Sequence, residues 1–149
     1  MALHNCWTEV SWFFPALTIQ SALNDPQVAI VYVGSESKAG LAVQHVRFSR
    51  LVPGQRANAA ALIQQLSAMD VYLDAASYLP VAFDFNVHPD DDAGLSLPVE
   101  VQFGDYRLVN GVRTPFRIQK SLQGSLLLDI ALSSATINSG LTGSLFSTQ

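Results

Sequence analysis

The sequence predicts an α+β fold, in which an antiparallel sheet of about seven strands carries two helices on its apolar face. Three observations support this prediction. Runs of alternating or β-branched apolar residues follow one another along the chain, Asn110-Gly111 marks a tight hairpin between two of them, and two other segments repeat apolar residues at helical spacing. The 149 residues are enough for a single domain, 1–149, with a core of its own.

The first helical segment lies between residues 10 and 23. Ser11 can cap this helix or Pro15 can stand in its first turn, and Pro26 ends it because the residue before a proline avoids helical backbone angles. A wide apolar stripe indicates that the helix is well buried. The stripe follows steps of three and four residues and begins with Val10, Phe13, Phe14 and Leu17.

The chain then alternates between strands and a second helix. Residues 28–34 and 40–49 are rich in β-branched and aromatic side chains and predict two strands, with the polar residues 35–38 as their hairpin loop. Asn58 opens an Ala-rich segment with helical spacing up to Leu66. A strand at 71–73, a turn at 74–77 and a strand at 78–87 follow.

The last three strands form a meander between residues 97 and 133. A type I′ turn needs positive φ at both central residues, and Asn110-Gly111 tolerates it best. Counting outward from this turn gives the pairs Val109–Val112, Phe103–Ile118 and Val99–Leu122. At the next turn we expect a three-residue loop, 123–125, with Gly124 or Ser125 left-handed, because it pairs Ile118 with Ile130.

This register aligns apolar side chains on one face of four strands. They either form an ordinary core or line a cavity for a hydrophobic ligand, and both alternatives fit the pattern. Asp105 and Arg107 share the parity of this face and stand at its rim, where they solvate the sheet edge or recognise a polar head group. The candidate ligand-binding residues are Phe83, Phe85, Val101, Phe103, Phe116, Ile118 and Ile130.

Composition and motifs exclude several function classes. A net charge of −4 with only 8 Lys and Arg offers no basic surface for nucleic acid. Cys6 is the only cysteine, so it can form neither an intrachain disulfide nor a thiolate metal cluster. The given chain shows no signal peptide and no apolar stretch near the roughly 18 residues of a membrane helix.

Catalytic and metal-binding patterns are also missing from the sequence. The acidic loop from His88 to Asp92 favours a solvated turn over a calcium site, because its spacing matches no calcium-binding loop. No serine stands in a nucleophile elbow, and we expect His45 to be a partly exposed sheet residue rather than a general base. We therefore expect no enzyme activity, no cofactor and no metal site.

Several motifs resemble the repeating hairpins of the LolA-like superfamily, the outer-membrane lipoprotein carriers and their relatives. The resemblance is clearest from Val71 to Ala135, and the segment from Trp12 to Leu23 is similar to the packing helix of these proteins. The motifs are Tyr72-Leu73-Asp74-Ala75-Ala76-Ser77-Tyr78-Leu79-Pro80-Val81, Val101-Gln102-Phe103-Gly104-Asp105-Tyr106-Arg107, Asn110-Gly111 and Thr114-Pro115-Phe116-Arg117-Ile118.

The resemblance implies an incomplete barrel whose concave face is plugged by helices and holds acyl chains or lipoproteins in the periplasm or cell envelope. Members of the family usually have an export signal and several earlier strands, so the resemblance leads us to expect a fragment or a late start without the N-terminal strands. An open sheet edge could then pair with a second copy to form a homodimer. An enzyme on the same scaffold is a further alternative to a binding protein and to a module that pairs through its sheet edge. It would need convergent polar groups, and the sequence offers only Asp105 and Arg107.

Overall fold

The computed structural model describes residues 12–92, 94–137 and 139–140. Within them one sheet of seven antiparallel strands follows the chain order, so each strand pairs with its neighbours in sequence and the sheet is not closed. The predicted α+β fold with a curved open sheet is confirmed. The elements are α1 (Pro15–Asn24), β1 (Val28–Lys38), β2 (Leu41–Arg50), α2 (Ala57–Leu66), β3 (Met69–Asp74), β4 (Pro80–Val87), β5 (Leu97–Val109), β6 (Val112–Leu122) and β7 (Ser125–Ala131).

Both helices begin without a side-chain cap. Helix α1 starts at Pro15, whose fixed φ and missing N–H suit the first turn; the alternative cap at Ser11 lies outside the described residues. Helix α2 is tied to the sheet at its C-terminal end, where the Ser67 hydroxyl donates to the Ile63 carbonyl and accepts the Arg50 N–H. No helix in the described part of the chain is long and apolar enough to cross a membrane.

The first hairpin differs from its prediction. The loop expected at 35–38 is wrong, because β1 continues to Lys38 and the turn is Ala39-Gly40, with φ of 51° and 82°. A bulge at Val33, next to Gly34 with a φ of 151°, shifts the register and lets the strand continue. Polarity suggested a loop, but side chains of this segment find charged partners on other strands.

The turn predicted at 74–77 is confirmed. The Asp74 side-chain oxygen Oδ1 accepts hydrogen bonds from the backbone N–H groups of Ala76 and Ser77, at 3.2 and 2.7 Å. This is the Asx-type arrangement that makes aspartate favourable at the start of a turn. It also fixes the point at which β3 ends and the chain reverses into β4.

The meander has the predicted register. Asn110 and Gly111 have φ of 48° and 85°, and Phe103 pairs with Ile118. At the second turn the expected three-residue loop is wrong: Gln123 and Gly124, with φ of 50° and 77°, form a two-residue turn. A bulge at Leu127 then restores the predicted pair of Ile118 with Ile130.

The core lies on one face of the sheet, which we call the apolar face. Phe83 and Phe103 meet edge to face at its centre, with ring centroids 4.9 Å apart. Ile19 and Ala22 of α1 pack against this cluster, whereas α2 contributes a separate buried residue, Leu66. The cluster consists of Phe48, Met69, Val71, Phe83, Phe85, Val99, Val101, Phe103 and Ile118.

Candidate functional site

The structure brings the predicted ligand-binding residues together on the apolar face. Five of them belong to the core cluster, and Ile130 packs against it from β7. Phe116 is buried beside them, on the strand that carries Ile118. The set is therefore contiguous. Its centre is closely packed, with Phe83 and Val101 both 0% exposed.

Helix α1 covers this face but is apolar on its outer side as well. Its inner residues Ile19 and Ala22 contact the core, while Leu17 and Leu23 are 54% and 66% exposed. Just before the helix, Phe14 is 58% exposed. A helix with apolar side chains on both sides is not matched to water on its outer surface.

An apolar patch continues from the start of this helix to the edge of the sheet. Trp12 stacks on Phe13 with centroids 3.8 Å apart, and the Lys120 ammonium lies 4.9 Å from the Trp12 ring. Lys120 pairs with Leu128 of β7, which is 38% exposed and shares the parity of the apolar face. We call Trp12, Phe13, Leu128 and Ile130 the α1–β7 patch.

The predicted rim residues lie beside the buried aromatic rings. Asp105 has a φ of 49°, and its carboxylate pairs with the Arg107 guanidinium at 2.5 Å. That guanidinium stands 4.3 Å from the centre of the Phe116 ring. The hydrogen bond from Arg107 lowers the pKa of Asp105, so the rim carries a fixed, half-exposed ion pair.

The opposite side of the sheet, the polar face, carries a row of charges that our sequence analysis missed. Arg47, Asp70, Asp84 and Glu100 face one another on four consecutive strands. Like charges directly opposite on neighbouring strands repel. Lys38 offsets this, since its ammonium lies 2.6 Å from Asp84 and 3.0 Å from Glu100. Alternation along β4 and β5 puts Asp84 and Glu100 on the polar face, but no short turn joins these two strands to set their register.

His45 belongs to the same network and is not the partly exposed residue we expected. It is 6% exposed, with Nδ1 at 2.6 Å from a Glu36 oxygen and Nε2 at 2.7 Å from an Asp70 oxygen. Tyr72 stacks on the imidazole, with ring centroids 4.5 Å apart. The flanking carboxylates explain why a histidine can be buried here.

Burial and charge shift the pKa values of this network in different directions. Burial raises the pKa of Asp84, with the neighbouring Glu100 and Asp70 adding to the effect and Lys38 opposing it. Burial acts in the same direction on Asp70, but hydrogen bonds from Arg47 and His45 outweigh it and lower the pKa. Burial and the Asp84 charge raise the pKa of Tyr72 to about 12.

A cavity of about 770 Å³ lies over the polar face. Its size is within the range of small-molecule sites. Strand β1 supplies an apolar wall, the charged row supplies part of the floor, and α2 borders one side. The cavity lining includes Val31, Val33, Asp70, Asp84, Glu100, Gln64 and Gln65.

The acidic loop after β4 is organised by its own hydrogen bonds. His88 is buried and its Nδ1 lies 3.0 Å from the Leu95 carbonyl oxygen, while Asp92 accepts the Gly94 N–H at 2.9 Å. In residues 12–92, 94–137 and 139–140, no three His, Cys, Asp or Glu side chains are grouped to hold a metal. Cys6 and His4 lie outside the described residues.

Comparison with known proteins identifies the fold. No family model matches the chain, and no curated protein does. A crystal structure from Vibrio parahaemolyticus, of a domain provisionally described as an outer membrane lipoprotein-sorting protein, is similar with a TM-score of 0.56 and 16% identity. The match covers 80% of this chain and 46% of that chain. This likeness confirms the LolA-like fold predicted from the sequence, and this chain spans less than half the length of that domain.

Proposed function

We propose that this protein is a non-enzymatic binding protein of the cell envelope that holds a lipid-like group on the apolar face of its sheet. The observation that carries the proposal is the α1–β7 patch, which continues the buried apolar face into solvent. Large exposed apolar patches mark binding sites on soluble proteins. The similarity to a lipoprotein-sorting domain supports the same class of ligand at the level of fold.

An acyl chain suits this surface. Each methylene group that it buries contributes roughly 0.8 kcal/mol. Several methylene groups packed against the sheet would therefore outweigh the cost of moving side chains aside. The chain would enter beside Trp12 and Leu128 and extend under α1 toward the buried residues. In this proposal the contacts inside are those predicted from the sequence: Phe83, Phe85, Val101, Phe103, Phe116, Ile118 and Ile130.

The Asp105–Arg107 pair would contact the polar end of the ligand. It is half-exposed, and Arg107 stands over Phe116 at the margin of the apolar face. A guanidinium offers donors in a planar fork that fits carboxylate or phosphate oxygens. Because the pair is already satisfied internally, we expect it to orient a head group rather than to supply most of the affinity.

Two leucines on β7 provide a matched test. Leu128 has the parity of the apolar face, while Leu126 pairs with Ser121 and has the parity of the polar face, and both are exposed. Binding of a fluorescent long-chain fatty acid is measured for Leu128→Glu and Leu126→Glu. We expect Leu128→Glu to weaken binding at least tenfold and Leu126→Glu to leave it within twofold. Equal effects, or no binding by the unchanged protein, would refute the proposal.

A second candidate function is association of two copies through the free edge of β1. Ile30, Val31, Tyr32 and Val33 are 41–61% exposed, and β1 carries no charge or proline between Val28 and Gly34. Natural edge strands normally carry charged residues or prolines, which prevent pairing with another strand. Sedimentation velocity over a hundredfold range of concentration tests it: Val31→Lys should abolish a dimer that the unchanged protein forms. A protein that is monomeric throughout would exclude this function.

A further inference from the structure

Lys120 places a positive charge among apolar side chains at the α1–β7 patch. On one side it pairs with Val101 of β5, which is 0% exposed, and on the other with Leu128 of β7. Its side chain is half-buried, and its ammonium lies 4.9 Å from the centre of the Trp12 ring. A charge that is partly withdrawn from water needs a partner to replace the lost hydration.

No carboxylate in the described part of the chain provides that partner. Lys120 forms no ion pair there, and its contact is the Trp12 ring, which attracts a cation less strongly than a carboxylate does. Two other basic residues within residues 12–92, 94–137 and 139–140 also lack an ion pair, Arg56 and Arg113. Both are exposed, so water hydrates them. Among these three, Lys120 is the one that is both unpaired and half-buried.

The other charges on the apolar face are compensated. Among the described strand residues, Arg50, Asp105 and Arg107 are the other charged side chains with the parity of this face. Arg50 forms an ion pair with Asp25, and Arg107 forms one with Asp105. An ion pair is nearly neutral as a unit, so it attracts a further anion only weakly. The Asp105–Arg107 pair can therefore orient a polar group, whereas Lys120 offers an uncompensated charge.

Lys120 also lies close to an open side of the sheet. It belongs to β6, and only the edge strand β7 separates it from that side. A bulge at Leu127 interrupts the ladder between these two strands next to Lys120. The proposed entry of the acyl chain is beside Trp12 and Leu128, which are both neighbours of Lys120. A chain inserted there would leave its terminal group near the ammonium.

We propose that Lys120 binds the anionic end of the ligand, so that the ligand is an acyl chain ending in a carboxylate or a phosphate. This inference rests on the proposed function, because it concerns the same site. An ammonium is a compact charge with three hydrogen-bond donors, which suits the oxygens of either anion. The anion neutralises Lys120, whereas an uncharged chain end leaves the ammonium without a charged partner. Lys120 therefore selects the class of ligand.

Three ligands with the same alkyl chain test this selection: dodecanoate, dodecyl phosphate and dodecan-1-ol. Isothermal titration calorimetry measures their binding at neutral pH, below the concentrations at which they form micelles. We expect the unchanged protein to bind both anions at least about tenfold more tightly than the alcohol, the scale of one charge-assisted hydrogen bond. Tighter binding of one anion than of the other would support the inference and identify the head group.

Variants of two basic residues on β6 show whether the selection comes from Lys120. Lys120→Met should weaken binding of both anions until they bind within about threefold of the alcohol, and should leave binding of the alcohol within twofold. Lys120→Arg should keep the preference for anions. Arg113→Met, which removes the unpaired charge on the polar face of the same strand, is the matched control and should change nothing. Leu128→Glu cannot replace these variants, because it changes an apolar contact and the charge opposite Lys120 together.

The outcomes separate this inference from the proposed function. Equal binding of the alcohol and both anions by the unchanged protein would overturn the inference and leave the proposed function standing. A preference for anions that persists in Lys120→Met would do the same. So would an equal loss for all three ligands in that variant, since Lys120 would then act only through packing. If none of the three ligands binds, the proposed function fails and the inference fails with it.

Discussion

Replacing Gly111 by alanine should destabilise the protein through its backbone alone. Gly111 has a φ of 85° in the turn of the meander, and no atom lies within 4 Å of an added Cβ. An L-residue in the left-handed region costs about 1–2 kcal/mol, and the reduced freedom of the unfolded chain returns about 0.4–1 kcal/mol. We therefore expect a net loss of about 0.5–1 kcal/mol.

Gly104 is the matched control. It lies in β5, in the same hairpin, with an ordinary φ and open space around its Cβ position. Alanine there should stabilise the protein by about 0.4–1 kcal/mol, because only the unfolded chain is affected. The two variants should differ by about 1.5 kcal/mol in urea unfolding with equal m values, or roughly 3–6 °C in Tm. Equal stabilities would refute the assignment of the turn.

Three further predictions concern one buried group, Phe83, and two half-buried ones, Tyr106 and Asp70. Phe83→Ala should lower the free energy of unfolding in urea by about 3–5 kcal/mol, because Phe83 is 0% exposed. An equal loss for Phe14→Ala, at an exposed ring, would contradict this prediction. Tyr106→Phe should cost about 1–2 kcal/mol by removing the 2.7 Å bond to the Pro80 carbonyl; an unchanged midpoint would argue against that bond. Because the pKa of Asp70 is lowered, its contribution is present above about pH 4 and lost as pH falls below its folded pKa. The stability difference between the unchanged protein and Asp70→Asn should therefore shrink between pH 6 and pH 2, and a constant difference would contradict it.

The meander could be predicted closely because its determinants are local. A type I′ turn at Asn110-Gly111 fixes the register, and alternation then assigns each side chain to a face. The second turn differs from the prediction, although the pairs beyond it agree. A two-residue turn followed by a bulge at Leu127 gives the same pair, Ile118 with Ile130, as a three-residue loop. Alternation cannot distinguish the two, because both restore the same parity.

The polar face could not be predicted in the same way because its contacts are not local. Residues 35–38 are polar, which suggested a loop, but Glu36 and Lys38 are satisfied by partners on β2, β4 and β5. These contacts join residues that are distant in the sequence, and no local pattern predicts them. His45 was expected to be partly exposed for the same reason: no pattern along β2 shows that Glu36 and Asp70 flank it. Sequence separation between partners, here up to 62 residues for Lys38 and Glu100, hides such networks.

In our proposal the apolar face, and not the cavity over the polar face, holds the hydrophobic group. The most direct measurement is photocrosslinking with a diazirine-bearing long-chain fatty acid, followed by mass spectrometry of the labelled peptides. We predict labels on α1 and on β6 and β7, near Trp12, Ile118 and Leu128, and their loss on competition with unlabelled fatty acid. Labels confined to the cavity residues Val31, Val33 or Gln64 would contradict the proposed function. So would labelling that unlabelled fatty acid does not reduce.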